Sequence, residues 1–216
     1  MPVLFETQYH PPVAFFAELP GADMLWLEAH EHYRKQTYRN RCLILTSQGV
    51  KPLTVPVIDG NRSEKVLITD LEIDYRQNWI HQHWRTLQTA YGGTPYFEYY
   101  AEYLHDIYQQ KLPRLFDLNQ QLLQFYFRCL RLRLPVQLTT DYHTLSTTEE
   151  NAPAPSLTLS PVLDRRDWLT PKDKPAAPDR KSAKPYLQTF GVQFVPNLSI
   201  LDLLFMQGPA ANAFLT

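Results

Sequence analysis

The sequence predicts a mixed α/β fold with a β-α-β start, antiparallel hairpin strands, a helical middle section and a C-terminal helix docked on the core. Short apolar runs alternate with turn residues over residues 3–73, and apolar residues recur at helical spacing over residues 77–134. A further apolar run covers residues 199–206. With 44% hydrophobic residues over 216 positions, the chain can bury a core, which excludes whole-chain disorder. We expect a single domain over residues 1–216.

The first elements are expected to be a strand, a short helix and a second strand. Residues 3–5 are a compact apolar run, and residues 22–27 are another. Between them, Pro11 and Pro12 can open a helix, because a first turn does not use the amide hydrogen that proline lacks. The pattern predicts a β-α-β unit within residues 3–27.

A hairpin is expected next. Cys42–Leu45 and Leu53–Val57 have the composition of strands, and Gly49 supplies the turn between them. Pro56 cannot donate to a ladder, which places its strand at an edge or next to a bulge. Val66–Ile73 is then expected to form a third strand of the same sheet.

Residues 77–134 predict three helices. The first is indicated by an apolar stripe and ends at Gly92; the stripe consists of Ile80, Trp84, Leu87 and Tyr91. A second helix is expected after Pro95. The third carries a longer stripe, with Pro113 in its first turn and Pro135 as its stop; that stripe consists of Leu115, Leu118, Leu122, Phe125, Cys129 and Leu132.

Residues 152–185 differ in composition from the rest of the chain. Seven of the 18 prolines lie here without a glycine, and Lys and Arg outnumber Asp. This composition predicts an extended Pro/Lys-rich surface loop rather than a packed element. Both a lid over a site and a plain linker fit a loop of this length.

The last element is expected to be a buried helix. Ser199 and Asp202 form a start that resembles a capping box, in which hydroxyl and carboxylate satisfy backbone donors, and Gly208 supplies the stop. Such a helix would dock the end of the chain on the main core.

Charge and composition exclude several classes of protein. Lys and Arg number 21 against 22 Asp and Glu, so no bulk positive field draws in nucleic acid. The two cysteines, Cys42 and Cys129, exclude a disulfide scaffold and lie in apolar runs as inert thiols. No apolar run is long enough to span a membrane, and Glu6 stands where a signal peptide would be apolar. We therefore expect a cytoplasmic protein without a membrane span.

The stretch from Lys35 to Arg41 is a candidate binding segment. Lys35 and Arg41 can grip phosphate or carboxylate, Tyr38 can stack on a ring, and Asn40 can read polar groups. These properties suit an anionic, sugar-bearing ligand. A solvated charged loop remains the alternative, because Lys and Arg are usually exposed.

Trp79 and His83 are the candidates on the first predicted helix. His83 lies at the boundary of the apolar stripe, where an imidazole can titrate near neutral pH and act as general acid or base. A histidine that only packs in the core remains the alternative. Trp84 and Tyr91 belong to the stripe and are expected in the core.

No metal or cofactor site is predicted. His30 and His32 could share one face of a strand, but spacing supplies no third ligand, and His81 and His83 diverge on a helix. Glycine-rich phosphate loops and the common catalytic motifs are absent from the sequence. The cofactors are therefore left open.

Several blocks of sequence resemble, in order, those of the WbqC-like family and together cover nearly the whole chain. They are Tyr9–Phe16, Lys35 with Tyr38–Arg41, Leu53–Val57, Trp79 with His83, Trp84 and Tyr91, Pro95–Phe97, Asp117–Asn119 and Phe194–Leu204. The chain departs from the family pattern before the last block, where the Pro/Lys-rich segment replaces a stretch bearing glycine and tyrosine. Substrate contacts in that stretch would differ here.

The resemblance implies a bacterial protein of surface-polysaccharide biosynthesis, such as that of O-antigen. Members are supposed to act on activated sugars or to attach acyl or aminoacyl groups to them, and no catalytic residue can be carried over from the family.

Resemblance and residues together predict a transferase acting on a nucleotide-linked or phosphorylated sugar. Lys35 and Arg41 would hold the anionic group, Tyr38, Asn40 and Trp79 would orient the ligand, and His83 would move the proton. The expected partner is a small anionic molecule, either a nucleotide sugar or an acyl donor.

Two alternatives remain open. One is a binding or assembly protein that recognises an anionic metabolite without chemistry. The other is nucleotidyl transfer, since the strand-turn-helix start places His10 before a helix, although the second histidine of such motifs is missing.

Overall fold

The computed structural model describes residues 1–58, 66–142, 162–172 and 184–215. Within these residues the strands are β1 (Val3–Glu6), β2 (Leu25–Glu28), β3 (Arg41–Thr46), β4 (Gly49–Thr54), β5 (Val136–Leu138) and β6 (Leu163–Asp164). The helices are α1 (Val13–Ala17), α2 (Trp79–Tyr91), α3 (Phe97–Gln109), α4 (Leu115–Cys129) and α5 (Ile200–Gln207), followed by a 3-10 helix over Gly208–Phe214. The predicted mixed α/β class is confirmed. In the described ranges no helix is long and apolar enough to cross a membrane.

Four strands form a parallel sheet in the spatial order β5-β2-β1-β6. Strands β1 and β2 pair in register and are joined by α1, which confirms the predicted β-α-β start. The chain first extends the sheet from β1 through β2 to β5 and then returns to add β6 on the other side of β1. The direction of connection therefore switches between β1 and β6. In open α/β sheets such a switch point opens a crevice at the carboxyl ends of the strands.

The predicted hairpin is confirmed as a separate antiparallel sheet of β3 and β4. Its second strand, expected over Leu53–Val57, instead begins at Gly49 and ends at Thr54, before Pro56. The expectation that Val66–Ile73 adds a third strand is wrong, since Leu67 and Ile73 each make an isolated bridge to a different partner. A turn between them, closed by a 3.0 Å hydrogen bond from Asp70 N to Leu67 O, interrupts the ladder.

The three helices of the middle section are confirmed as α2, α3 and α4. Gly92 caps the end of α2, as predicted. Helix α4 begins after Pro113, which lies outside the first turn, and ends at Cys129 instead of including Leu132. Arg131 adopts a left-handed φ of 54°, which turns the chain away before another helical turn forms.

The C-terminal helix α5 is buried and docked on the core, as predicted. Ser199 caps it by accepting a backbone N–H. Asp202 differs from the expectation, because its carboxylate faces the core instead of the helix start. It accepts hydrogen bonds from the hydroxyls of Tyr91 (3.0 Å) and Tyr186 (2.8 Å) and from the Gln188 amide (2.9 Å). Asp202 thereby ties α2 and residues 184–190 to α5.

The predicted loop over residues 152–185 is wrong for one part of this segment. Leu163–Asp164 is strand β6, fixed beside β1 by hydrogen bonds from Leu163 N to Pro2 O (2.9 Å) and from Arg165 N to Leu4 O (2.8 Å). Two residues are too few for a periodic pattern, so composition gave no sign of this strand. Residues 152–161 and 173–183 lie outside the described residues.

Candidate functional site

The carboxyl ends of the parallel strands bring acidic side chains together at the switch point. Glu6 ends β1, Glu28 ends β2 and Asp164 ends β6, and Glu6 is the register partner of Glu28. Glu6 and Glu28 are both buried. Buried carboxylates need compensating partners, and the loops that follow the strands supply them.

Arg166 bridges two of these strand ends. Its guanidinium donates to Glu28 Oε2 at 2.8 Å through Nη1 and to Asp164 Oδ2 at 2.6 Å through Nη2. The guanidinium also stacks over the ring of Tyr142, with its carbon 4.8 Å from the ring centre. Because Arg166 lies two residues beyond β6, the short segment after this strand covers the edge of the sheet.

Arg39 occupies the neighbouring position and has a fully buried side chain. It binds both carboxylate oxygens of Glu31, with Nε 2.7 Å from Oε1, and it donates through Nη1 to Asp167 Oδ1 at 3.0 Å. Arg34 also donates to Asp167 and reaches the surface. Such bidentate pairs fix orientation as well as charge.

Together these residues form what we call the carboxylate–arginine cluster. It contains Glu6, Glu28, Glu31, Asp164 and Asp167 with Arg34, Arg39 and Arg166. Carboxyl groups outnumber guanidinium groups, so the cluster carries net negative charge when all of them are ionised. One carboxyl group can lower this repulsion by holding a proton.

Glu6 is the carboxyl group best placed to hold that proton. Burial raises its pKa to about 7, although the charge of Arg39 opposes the rise. Its oxygens accept hydrogen bonds from the neutral Gln8 amide at 2.7 Å and from Asp167 N at 3.0 Å. The Gln8 Oε1 atom beside it is buried and has no hydrogen-bond partner in the described part of the chain. A carboxyl group that titrates near neutral pH can both take up and return a proton.

A second polar feature, which we call the Tyr–His chain, starts in the turn after β1. Tyr9 Oη lies 2.9 Å from His83 Nδ1 and 2.9 Å from Tyr108 Oη. His10 Nε2 lies 2.6 Å from Tyr108 Oη, and His10 Nδ1 bonds to the hydroxyl of Tyr126. All five side chains are buried.

The donors and acceptors of the Tyr–His chain are linked to one another. If Tyr9 donates to Nδ1 of His83, then Tyr9 accepts from Tyr108, Tyr108 accepts from His10, and His10 accepts from Tyr126. If His83 is the donor, all of these roles are exchanged. Burial lowers the pKa of His83 to about 4 and that of His10 well below its usual range, so both rings are neutral at pH 7.

The candidate residues of the cationic stretch are spread over different environments. Lys35 is half-buried in a turn, and Tyr38 is buried with its carbonyl accepting from Tyr9 N at 2.8 Å. The Asn40 amide is buried and donates to the carbonyl of Val55 at 2.9 Å. Arg41 lies in β3, and its Nε is buried without a hydrogen-bond partner among the described residues.

Trp79 and His83 lie together on α2, with ring centres 5.1 Å apart. Tyr9 links them to the cationic stretch, because it binds His83 through its hydroxyl and Tyr38 through its backbone. No contact recorded among the described residues joins Lys35 or Arg41 to His83 directly. Three surface cavities, of about 280, 640 and 410 Å³, are lined by other residues than these six candidates.

Sequence reasoning missed the carboxylate–arginine cluster, although a signal was present. Each of the first two apolar strand segments ends in a glutamate, at Glu6 and Glu28, and the carboxyl ends of parallel strands meet at one edge. Arg39 lies within the cationic stretch but was not among the candidates; its side chain is buried against Glu31, although arginines are usually exposed.

Within the described ranges, no group of three His, Cys, Asp or Glu residues is arranged to hold a metal ion. His30 instead bonds through Nε2 to the carbonyl of Thr139 at 3.0 Å, and His32 is exposed. Cys42 is buried and Cys129 half-buried, and burial raises the pKa of both thiols, to about 12 for Cys129.

Comparison with known proteins identifies the family. The sequence model of the WbqC-like protein family matches residues 7–214. The chain belongs to the WbqC-like protein family. It is also similar to the uncharacterized protein Rv1507c of Mycobacterium tuberculosis (strain ATCC 25618 / H37Rv), with 28% identity over 98% of this chain and 96% of that protein. No solved structure matches. In this WbqC-like chain, the first block of the resemblance, Tyr9–Phe16, supplies Tyr9 and His10 to the Tyr–His chain.

Proposed function

We propose that this WbqC-like protein is a transferase that adds an acyl or aminoacyl group to an amine or hydroxyl group of a nucleotide-linked or phosphorylated sugar. The acceptor would bind at the carboxylate–arginine cluster. The observation that carries the proposal is the position of Glu6, a buried carboxyl group with a pKa of about 7 at the switch point of a parallel sheet.

Glu6 would act as the general base. The attacking N–H or O–H loses its proton to Glu6, the nucleophile bonds to the acyl carbon, and the bond from that carbon to the leaving group breaks. For a thioester donor, the departing thiolate then takes the proton back from Glu6. A correctly placed base contributes roughly 10²–10⁴-fold to such a step.

The chemistry of the cluster suits a polyhydroxylated acceptor. Carboxylates accept hydrogen bonds from sugar hydroxyl or amino groups, and Arg39 and Arg166 can donate to ring and carbonyl oxygens. The cluster reaches solvent at Arg34 and Asp167, whose side chains are 62% and 35% exposed. We place the entrance for the acceptor there.

His83 remains the competing proposal for the proton carrier, with Lys35, Tyr38, Asn40, Arg41 and Trp79 around the ligand. A pKa near 4 makes His83 a weaker base at neutral pH than Glu6, because a good base has a pKa close to the working pH. Both assignments belong to the same reaction, so paired variants can separate them.

Nucleotidyl transfer through His10 is disfavoured by its hydrogen bonds. Both ring nitrogens of His10 bind tyrosine hydroxyls inside the core, so a phosphate could reach the ring only by displacing Tyr108 or Tyr126. A binding or assembly role without chemistry is the alternative that the experiment below can reveal.

The test combines binding and turnover. The full chain is incubated with nucleotide-linked and phosphorylated hexoses and hexosamines, each with acyl-CoA donors, and products are followed by mass spectrometry. We expect an acylated sugar whose rate of formation falls at least 100-fold in Glu6→Gln. The exposed carboxyl group of Glu102 on α3 supplies the control, and Glu102→Gln should retain full turnover.

Three outcomes would overturn parts of the proposal. Full turnover by Glu6→Gln with loss in His83→Gln would transfer the role of base to His83. Full turnover by both variants would show that neither Glu6 nor His83 transfers the proton. Saturable ligand binding without product for any donor would establish a binding protein in place of a transferase.

A further inference from the structure

We propose that a surface pocket between α2 and α3 is a second binding site, which takes a phosphate ester carrying a sugar or nucleoside. The pocket has a volume of about 410 Å³, and its walls come from residues 75–84 and 105–111. This volume lies within the range of small-molecule sites. No member of the carboxylate–arginine cluster lines it, so the proposal stands independently of the transferase.

The lining of the pocket is positively charged. Arg76 and Lys111 line it, whereas no Asp or Glu does. Asp74 holds the Arg76 guanidinium in place through hydrogen bonds of 2.8 Å to Nε and 2.9 Å to Nη2. The same contacts lower the pKa of Asp74 to about 2. Lys111 has no ion pair in the part of the chain that the structure describes, so its charge is available to an anion.

The backbone at Lys111 offers a way to remove its side chain without destabilising the fold. Helix α3 ends at Gln109, and Lys111 takes a left-handed φ of 47° two residues later. This is the position at which helices prefer glycine, because a side chain there is strained. A glycine in place of Lys111 would therefore relieve the strain while it removes the charge.

The opposite wall offers aromatic and polar groups to a ring. The rings of Trp84 and His105 lie 4.6 Å apart between centres and are tilted by 47°. Gln109 donates to His105 Nε2 at 3.1 Å, which leaves the proton of the neutral imidazole on Nδ1 as a donor. Cations beside an aromatic and amide-lined wall are what a phosphate attached to a sugar or nucleoside requires.

The test uses uridine 5′-monophosphate, ribose 5-phosphate, inorganic phosphate and uridine as probes. Binding to the full chain is measured by calorimetry and by the NMR shifts of His81 and His105, which both line the pocket. We expect saturable binding of the two phosphate esters, weaker binding of inorganic phosphate, and none of uridine. The ratio between the two esters distinguishes a nucleoside ligand from a sugar phosphate.

The decisive variant is Lys111→Gly. Because this substitution is expected to stabilise the fold, a loss of binding cannot be attributed to unfolding. Glycine at this left-handed position should raise Tm by roughly 2–4 °C while ester binding falls at least 10-fold. Arg131 is the matched control, an exposed cation at the same position after α4 with a φ of 54°. Arg131→Gly should raise Tm equally and leave binding unchanged.

Several results would overturn the proposal. If the esters show no saturable binding to the unmodified chain, the pocket does not bind such a ligand. Equal affinity in Lys111→Gly and the unmodified chain would place the binding elsewhere. Equal affinities for inorganic phosphate and the esters would eliminate the role of the aromatic wall.

Discussion

The hydroxyl oxygen of Tyr9 lies 2.9 Å from Nδ1 of His83, which places two residues 74 positions apart within one hydrogen bond. From Tyr9 the Tyr–His chain continues through Tyr108 and His10 to Tyr126. The Tyr–His chain links the turn after β1 to helices α2, α3 and α4. That turn also carries Gln8, so the Tyr–His chain supports the position of the amide that binds Glu6.

The connectivity of the Tyr–His chain predicts unequal costs for removing the hydroxyls of Tyr126 and Tyr9. Tyr126→Phe leaves one group unpaired, Nδ1 of His10, whereas Tyr9→Phe leaves two contacts unmade, those to Nδ1 of His83 and to the hydroxyl of Tyr108. Each buried group left unpaired costs about 1–3 kcal/mol. Urea unfolding should therefore give a free-energy loss about twice as large for Tyr9→Phe. Equal losses would contradict this connectivity.

His83 predicts a loss of stability on acidification. Its pKa is about 4 in the folded protein against an ordinary 6.5, so only the unfolded chain binds the proton between these values. This contribution is present above pH 6.5 and is lost as the pH falls toward 4, on the order of 3 kcal/mol in total. His83→Gln should show a flatter dependence over this window. An unchanged dependence in the variant would mean that His83 titrates normally.

Glu6 predicts the opposite trend at higher pH. Its pKa is about 7 in the folded protein against an ordinary 4.5, so the folded state binds the proton more tightly. The contribution is fully present below pH 4.5 and is lost as the pH rises through 7, on the order of 3 kcal/mol. The unfolding free energy of Glu6→Gln, measured relative to that of the unmodified chain, should therefore increase as the pH rises from 5 to 8. A constant difference across this range would show that Glu6 is ionised throughout.

Gly208 predicts a steric effect at the end of α5. It has a φ of 50°, and a Cβ atom at this position would lie 2.4 Å from the ring of Tyr96. Gly208→Ala should cost on the order of 3 kcal/mol or more in unfolding free energy, from strain and displaced packing. Gly93 is the control, because a Cβ there meets nothing within 4 Å. Similar losses of unfolding free energy in both alanine variants would show that the Tyr96 ring moves aside at little cost.

Local patterns carried most of the fold. Helical periodicity gave α2, α3 and α4, and apolar runs with turn residues gave β1, β2 and the hairpin. Strand β6 was not predicted, because Leu163 and Asp164 are held by pairing with β1 and have no sequence pattern of their own. The strand predicted over Val66–Ile73 was wrong for the opposite reason, since a turn that composition does not reveal interrupts this strand-like segment.

The candidate site was less accessible to sequence reasoning. Trp79 and His83 share one helix turn, so their proximity followed from spacing. The meeting of Arg39 with Glu31 and Asp167 depends on a loop that follows β6, 128 positions away from Arg39 along the chain. Burial of such charges is decided by tertiary pairing, which the usual exposure of arginine conceals.

The most direct test of the transferase account is the pH dependence of kcat/KM, measured once a donor and an acceptor are in hand. If Glu6 is the base, the rate should rise with pH through a midpoint near 7, and this limb should vanish in Glu6→Gln while His83→Gln keeps it. A limb with its midpoint near 4 that disappears only in His83→Gln would contradict the account and identify His83 as the base.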